Sequence, residues 1–167
     1  MKILVLSDSH SALSFMRLAI AKLKPDAIVH LGDLYEDGET IAFENPTVPY
    51  FGVPGNCDKF RCFGKPEVMC VDVCGVRMFM THGHRQHVKQ TLGILAAQAA
   101  EMGATIALYG HTHIPDIHKE KNGLIVMNPG ACGSYGGSVG VVEIENKKIQ
   151  RCTVLRADDF TVLKELL

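Results

Sequence analysis

Seven side chains that can ligate a metal stand where five predicted strands run out: Asp8 and His10, Asp33, Asn56, His82, then His111 and His113. In each case an apolar, β-type run gives way at once to the ligand, usually with a glycine beside it, as in Gly32-Asp33, Gly55-Asn56, His82-Gly83 and Gly110-His111. Glycine lets the backbone turn tightly and approach an ion closely. Carboxylate, amide and imidazole donors make a mixed hard and borderline set, suited to manganese, iron, zinc, nickel or cobalt rather than calcium. Seven ligands are too many for one tetrahedral ion with an open position, but they suit two neighbouring ions bridged by a carboxylate. Asp33 is the bridging candidate, as the lone carboxylate between the Asp8/His10 pair and the later ligands. Two ions about 3.5 to 4 Å apart lower the pKa of bound water and neutralise the oxygens of an in-line displacement at phosphorus, which makes phosphoester hydrolysis the natural chemistry.

The elements must bring strand ends together, because in open α/β sheets ligands gather outside the carboxyl ends of the strands, and separate elements of one sheet can feed one crevice. Residues 2–7 and 27–31 read as strands around a helix over 12–23, whose apolar positions Leu13, Met16, Ile20 and Leu23 recur at helical spacing. That unit predicts a parallel pair with a right-handed crossover. A short helix over 36–45 and a strand over 48–53 follow, then a hairpin of 68–73 and 76–80 turning at Cys74-Gly75. A second helix is predicted after His82, with Val88, Leu92, Leu95, Ala99 and Met102 on one stripe and Gly103 as its cap. Gly93 inside it would cost about 1 kcal/mol relative to alanine. From 105 onward come short strands at 105–109, 115–119, 124–127, 139–144 and 147–155, and the last ten residues suit a helix or a strand equally. So many strands with few helices predict one α/β domain over 1–167, built as two packed sheets flanked by helices.

Composition narrows the function. The 167 residues are 47% hydrophobic and 21% charged, enough for a core without disulfides or a structural metal, so a metal site is free to be catalytic. A net charge of -1, with Lys and Arg dispersed, gives no footprint for a long nucleic acid. No stretch reaches membrane-spanning length and no signal-peptide core is present, so the expected compartment is the cytoplasm. The six cysteines contain no C-x-x-C pair and are expected as free thiols.

Asp8-Ser9-His10, Gly32-Asp33, Gly55-Asn56, His82 and Gly110-His111-Thr112-His113 resemble the ordered motif series of the calcineurin-like metallophosphoesterases. Thr81-His82-Gly83-His84 and Asn128-Pro129-Gly130 resemble more narrowly the small YfcE-like phosphodiesterases. The resemblance implies a four-layer αββα sandwich and a centre of two divalent ions, Mn2+ first and Ni2+, Zn2+, Fe2+ or Co2+ as alternatives. It also implies the division of ligands: Asp8, His10, Asp33 and His113 around one ion, and Asp33, Asn56, His82 and His111 around the other. The implied partner is a small phosphodiester, and the implied assembly a homo-oligomer, a dimer or a tetramer. Asn56 is also carried over as a catalytic residue.

Many members of the wider family have a histidine after Gly-Asn that protonates the leaving group; here Cys57-Asp58 follows, a form that the small YfcE-like proteins share. A thiol is a poor general acid near neutral pH, so a stronger dependence on leaving-group acidity is expected. Asp58 and His84 are candidates to orient water or substrate. The competing readings are a phosphomonoesterase, a nuclease on short oligonucleotides, or a partner-binding scaffold of the retromer-subunit type. The last is disfavoured because that subunit lacks part of the histidine set that is intact here. His30 reads as a hydrogen-bonded core residue, His87 and His118 as solvent-facing on a helix and a strand, Asn128-Pro129-Gly130 as a tight turn, and the glycine-rich 133–140 as a loop rather than a P-loop.

Overall fold

The computed structural model describes residues 1–58, 62–133 and 135–167. Among the described residues eleven strands and three α-helices follow one another: β1 (Lys2–Leu6), α1 (Leu13–Leu23), β2 (Ala27–His30), α2 (Tyr35–Glu44), β3 (Tyr50–Gly52), β4 (Val68–Val73), β5 (Val76–Thr81), α3 (Gly93–Glu101), β6 (Ile106–Leu108), β7 (Asp116–Lys119), β8 (Ile125–Asn128), β9 (Ser138–Glu145), β10 (Lys148–Arg156) and β11 (Val162–Leu166). They form a six-stranded sheet in the order β11-β10-β9-β1-β2-β3 and a five-stranded sheet in the order β4-β5-β6-β8-β7. In the first sheet β1, β2 and β3 run parallel, as do β5, β6 and β8 in the second.

Each sheet is apolar on both faces, which is why its central strands read as unbroken hydrophobic runs. Ile3, Val5 and Val29 of the first sheet meet Met78, Met80, Ile106 and Leu108 of the second in the inner core. Leu4, Leu6 and Ile28 point outward under Met16 and Ala19 of α1 and Ile41 of α2. Phe79, Ala107 and Val126 point the other way, under Leu95 and Ala99 of α3. The result is a four-layer αββα sandwich, as expected.

Two details differ from the sequence reading, and a third resolves an alternative it left open. The ligand-bearing strands belong to two sheets, not one: β1, β2 and β3 supply Asp8, His10, Asp33 and Asn56, whereas β5 and β6 supply His82, His111 and His113. The helix after His82 is short and begins at Gly93. Residues 84–91 instead fold back in turns, with the Gln86 and Val88 amides donating to Gly83 O and the Thr91 hydroxyl accepting the Gly93 N–H at 3.1 Å. Gly93 is thus a helix start, where it costs little. The ambiguous carboxyl terminus is the edge strand β11, paired antiparallel with β10.

Candidate metal centre

The five strand ends meet at one rim of the sandwich. Asp8, His10, Asp33 and His113 bring ligand atoms within 4.8 Å of one another, and so do Asp33, His82 and His111, which makes Asp33 common to both groups. The Asn56 amide oxygen completes the second group, 3.1 Å from His82 Nε2. All seven sequence-predicted ligands are therefore brought together.

Backbone conformation at the ligands is costly. Asp8, His10, Asp33, His111 and His113 all have positive φ, between 44° and 66°. A left-handed conformation costs an L-residue roughly 1 to 2 kcal/mol, and such strain concentrates at functional sites where surroundings over-determine it. Three buried polar anchors supply that determination. The Asp58 carboxylate accepts the backbone N–H groups of Asp33 (3.1 Å), Tyr35 (3.0 Å) and Gly55 (2.7 Å), clamping the loop after β2 to the loop after β3. Gly32, with φ +93°, lets these loops touch; a Cβ there would run into the Pro54–Gly55 backbone.

The second anchor passes through Ser9, between two ligands. The Gly32 amide donates to His30 Nδ1, so Nε2 carries the ring proton and faces Ser9 Oγ at 3.1 Å, while the Ser9 hydroxyl donates to Asp37 at 2.7 Å. Burial pushes His30 down to about 4, against the pull of Asp37, and the ring is neutral. His30 is the hydrogen-bonded core residue expected. The third anchor is Asn128, fully buried, whose Nδ2 donates to Gly110 O and Thr112 Oγ1, both at 2.9 Å, while Oδ1 accepts the Gly130 N–H at 2.8 Å. Asn128 thereby fixes the loop that carries His111 and His113. The tight turn expected at Asn128-Pro129-Gly130 is thus also an anchor, for which the signal in the sequence is an amide at the end of an apolar strand.

Two observations test whether a cation fits. His82 Nδ1 lies 2.7 Å from the Leu31 carbonyl, which can only accept, so Nδ1 carries a proton and Nε2 is the nitrogen turned towards the other ligands. Nε2 faces Asn56 Oδ1 at 3.1 Å, His111 Nδ1 at 3.2 Å and Asp33 Oδ2 at 3.6 Å, a convergence of potential ligand atoms that a cation would bind together. Donation of the second ring N–H to a backbone carbonyl is the usual support of a metal-ligating histidine. Asp8 Oδ1, in turn, is buried with no hydrogen-bond partner, although His113 Nε2 approaches it to 3.1 Å. Both groups fit a divalent ion.

The electrostatics agree. Burial would raise the Asp33 carboxyl, but the His82 ring, the Cys57 amide and thiol and His10 outweigh it and hold Asp33 below the usual carboxylate range. Burial, His82 and Lys89 push His111 down to about 4, leaving the ring free to ligate. Cys57 stands at the position of the missing histidine: its amide donates to Asp33 at 2.9 Å, its thiol lies 3.4 Å from the same carboxylate, and burial and Asp33 raise the thiol, keeping it protonated. His84 is half-buried, lowered by burial and by His82, with its ring 5.5 Å from that of His82. Asp58 departs from the expected contact with water or substrate, because it is buried and its carboxylate is taken up by the three backbone N–H groups. His118 is half-buried between Asp116 and Glu120, and His87 lies in a turn rather than on a helix. The stretch 133–140, of which Ser134 lies outside the described residues, braces the first ligand loop: the Gly133 amide donates to Asp8 O.

A family model for the calcineurin-like phosphoesterase superfamily domain matches residues 1–147. The chain belongs to that superfamily. This calcineurin-like phosphoesterase is 34% identical over 134 residues to a probable metallophosphoesterase, YsnB, of Bacillus subtilis, covering 78% of this chain and 75% of the relative. It is 28% identical over 167 residues to the phosphodiesterase MJ0936 of Methanocaldococcus jannaschii, covering 89% and 96%. Among solved structures it resembles a predicted phosphoesterase from Streptococcus pneumoniae, with a TM-score of 0.80 and 27% identity over 99% of this chain and 96% of the other. YfcE of E. coli (TM-score 0.70, 21% identity, 99% and 98% covered) and Vps29 of Entamoeba histolytica (0.75, 20%, 99% and 98%) share the fold. No helix among the described residues is long and apolar enough to cross a membrane.

Proposed function

We propose that this phosphoesterase is a phosphodiesterase with a two-metal centre, acting in the cytoplasm on a small or accessible diester. The observation that carries the reading is the sharing of Asp33 between two ligand groups that each fit an ion. Two bound divalent ions, Mn2+ first among the candidates, would supply an activated water and neutralise charge on the phosphoryl oxygens. Asp8, His10, Asp33 and His113 would hold one ion, and Asp33, Asn56, His82 and His111 the other. The Asn56 amide and the half-buried His84, beside the His82 ring, would orient the phosphoryl group. Asp58 acts on the ligand loops through the backbone and is a positioning residue. Cys57 keeps its proton and transfers it poorly.

The test is hydrolysis of bis-p-nitrophenyl phosphate and p-nitrophenyl phosphate by chelator-stripped protein, before and after manganese is restored. Diester turnover that exceeds monoester turnover, requires the metal and falls at least about a thousandfold in Asp33→Asn is the expected result, since the substitution removes the bridging charge. Monoester preference would make the protein a phosphomonoesterase. No turnover with manganese, nickel, cobalt, zinc or iron would leave the partner-binding role as the better account.

A further inference from the structure

Three cavities bear on substrate choice. One of about 610 Å³ lies beside Met1, Glu143 and Arg151, at the amino-terminal end of β1 and so at the opposite end from Asp8. One of about 190 Å³ beside Gly55 and His84 is smaller than the usual ligand pocket. The third, of about 500 Å³, has the size of a small-molecule site and adjoins the loop that carries two candidate ligands: Thr112, on its lining, stands between His111 and His113 in the chain. Its lining joins Val88 and Tyr109, both buried, to Ile114 and Pro115. Ile114 is 68% exposed, yet its amide is held by Thr112 Oγ1 at 3.2 Å, on the loop that Asn128 fixes. The apolar wall is thus presented to solvent by a rigid part of the chain.

The rim adds charge. Lys164 stands 3.9 Å from Asp116, whereas Lys89, also on the lining, has no carboxylate partner among the described residues. We propose that this cleft receives one ester group of the substrate, a flat apolar group of aryl or nucleobase size, with Lys89 facing the phosphate beside it. The proposal rests on the phosphodiesterase reading and names its substrate class: ring-bearing diesters over small alkyl ones. Removing part of an apolar contact of this kind changes discrimination by roughly 10- to 200-fold.

Binding of diphenyl phosphate and of dimethyl phosphate to zinc-loaded protein, followed by calorimetry and by the Ile114 methyl resonance, tests it without turnover. The expected result is at least about tenfold tighter binding of diphenyl phosphate, with a shift of the Ile114 signal. In Ile114→Ser the preference should shrink to under about threefold with zinc content unchanged, while Ile114→Val should retain it. Failure of diphenyl phosphate to bind, binding with an unmoved Ile114 signal, or an intact preference in Ile114→Ser would each overturn the subsite. An Ile114 response in a protein that hydrolyses no diester would instead count against the phosphodiesterase reading and leave the cleft standing as a binding site.

Discussion

At the residue scale, Cys57 and His30 make opposite uses of burial. Cys57 keeps its proton because burial and Asp33 both disfavour the thiolate, so a departing alkoxide finds no imidazolium to protonate it. Rates across a series of substituted aryl phosphodiesters should therefore fall steeply as the leaving phenol becomes less acidic, and Cys57→His should flatten the slope. Equal slopes in the two proteins would remove Cys57 from the account. His30 keeps its lone pair because burial disfavours the imidazolium more than Asp37, Asp8 and Asp58 favour it, with His82 adding to the burial. Its folded value of about 4 lies below the ordinary 6.5, so the unfolded chain takes up a proton first. Stability from this group is complete above pH 6.5 and lost as the pH falls towards 4, by on the order of 3 kcal/mol in all. Urea unfolding at pH 7.5 and pH 5 should show a smaller acid loss in His30→Gln than in the wild type.

At the scale of elements, the loop between β6 and β7 depends on a residue from the end of β8. Asn128→Ala would take one bond from Gly110 O and one from Thr112 Oγ1, and would leave the Gly130 N–H without its acceptor. The expected cost is on the order of 2 to 3 kcal/mol in stability, with a loss of roughly 10- to 100-fold in manganese affinity as His111 and His113 lose their setting. Asn128→Asp should do no better, because it replaces both donors with acceptors. Manganese titration calorimetry decides; unchanged affinity in both variants would reduce Asn128 to a turn residue. The contrast with the ligands explains what was legible. Asp8, Asp33 and His82 announce themselves locally, each ending an apolar run. The anchors do not, since Asp58 and Asn128 act on backbone groups that only the folded loops bring to them. The shortened α3 was hidden for a similar reason: Val88 keeps helical spacing with Leu92 and Leu95, but its amide bonds Gly83 O in a turn.

At the scale of the molecule, sheet order was the least legible feature, because β9 arrives from far along the chain to lie antiparallel beside β1 and separates it from β10. The division of ligands between the sheets follows from that order. Asp8, His10, Asp33 and Asn56 come from one sheet and His82, His111 and His113 from the other, so each proposed ion draws on both. Metal should therefore stabilise the whole sandwich, by about 2.7 kcal/mol at a hundred times its dissociation constant, or roughly 5 to 10 °C in melting temperature. Melting curves that do not move between chelator and excess manganese would contradict the two-sheet centre. An ion placed this way works as a rivet through a seam. A chain whose halves have docked out of register has nowhere to put it, so retention of metal during purification reports that the sandwich has closed correctly.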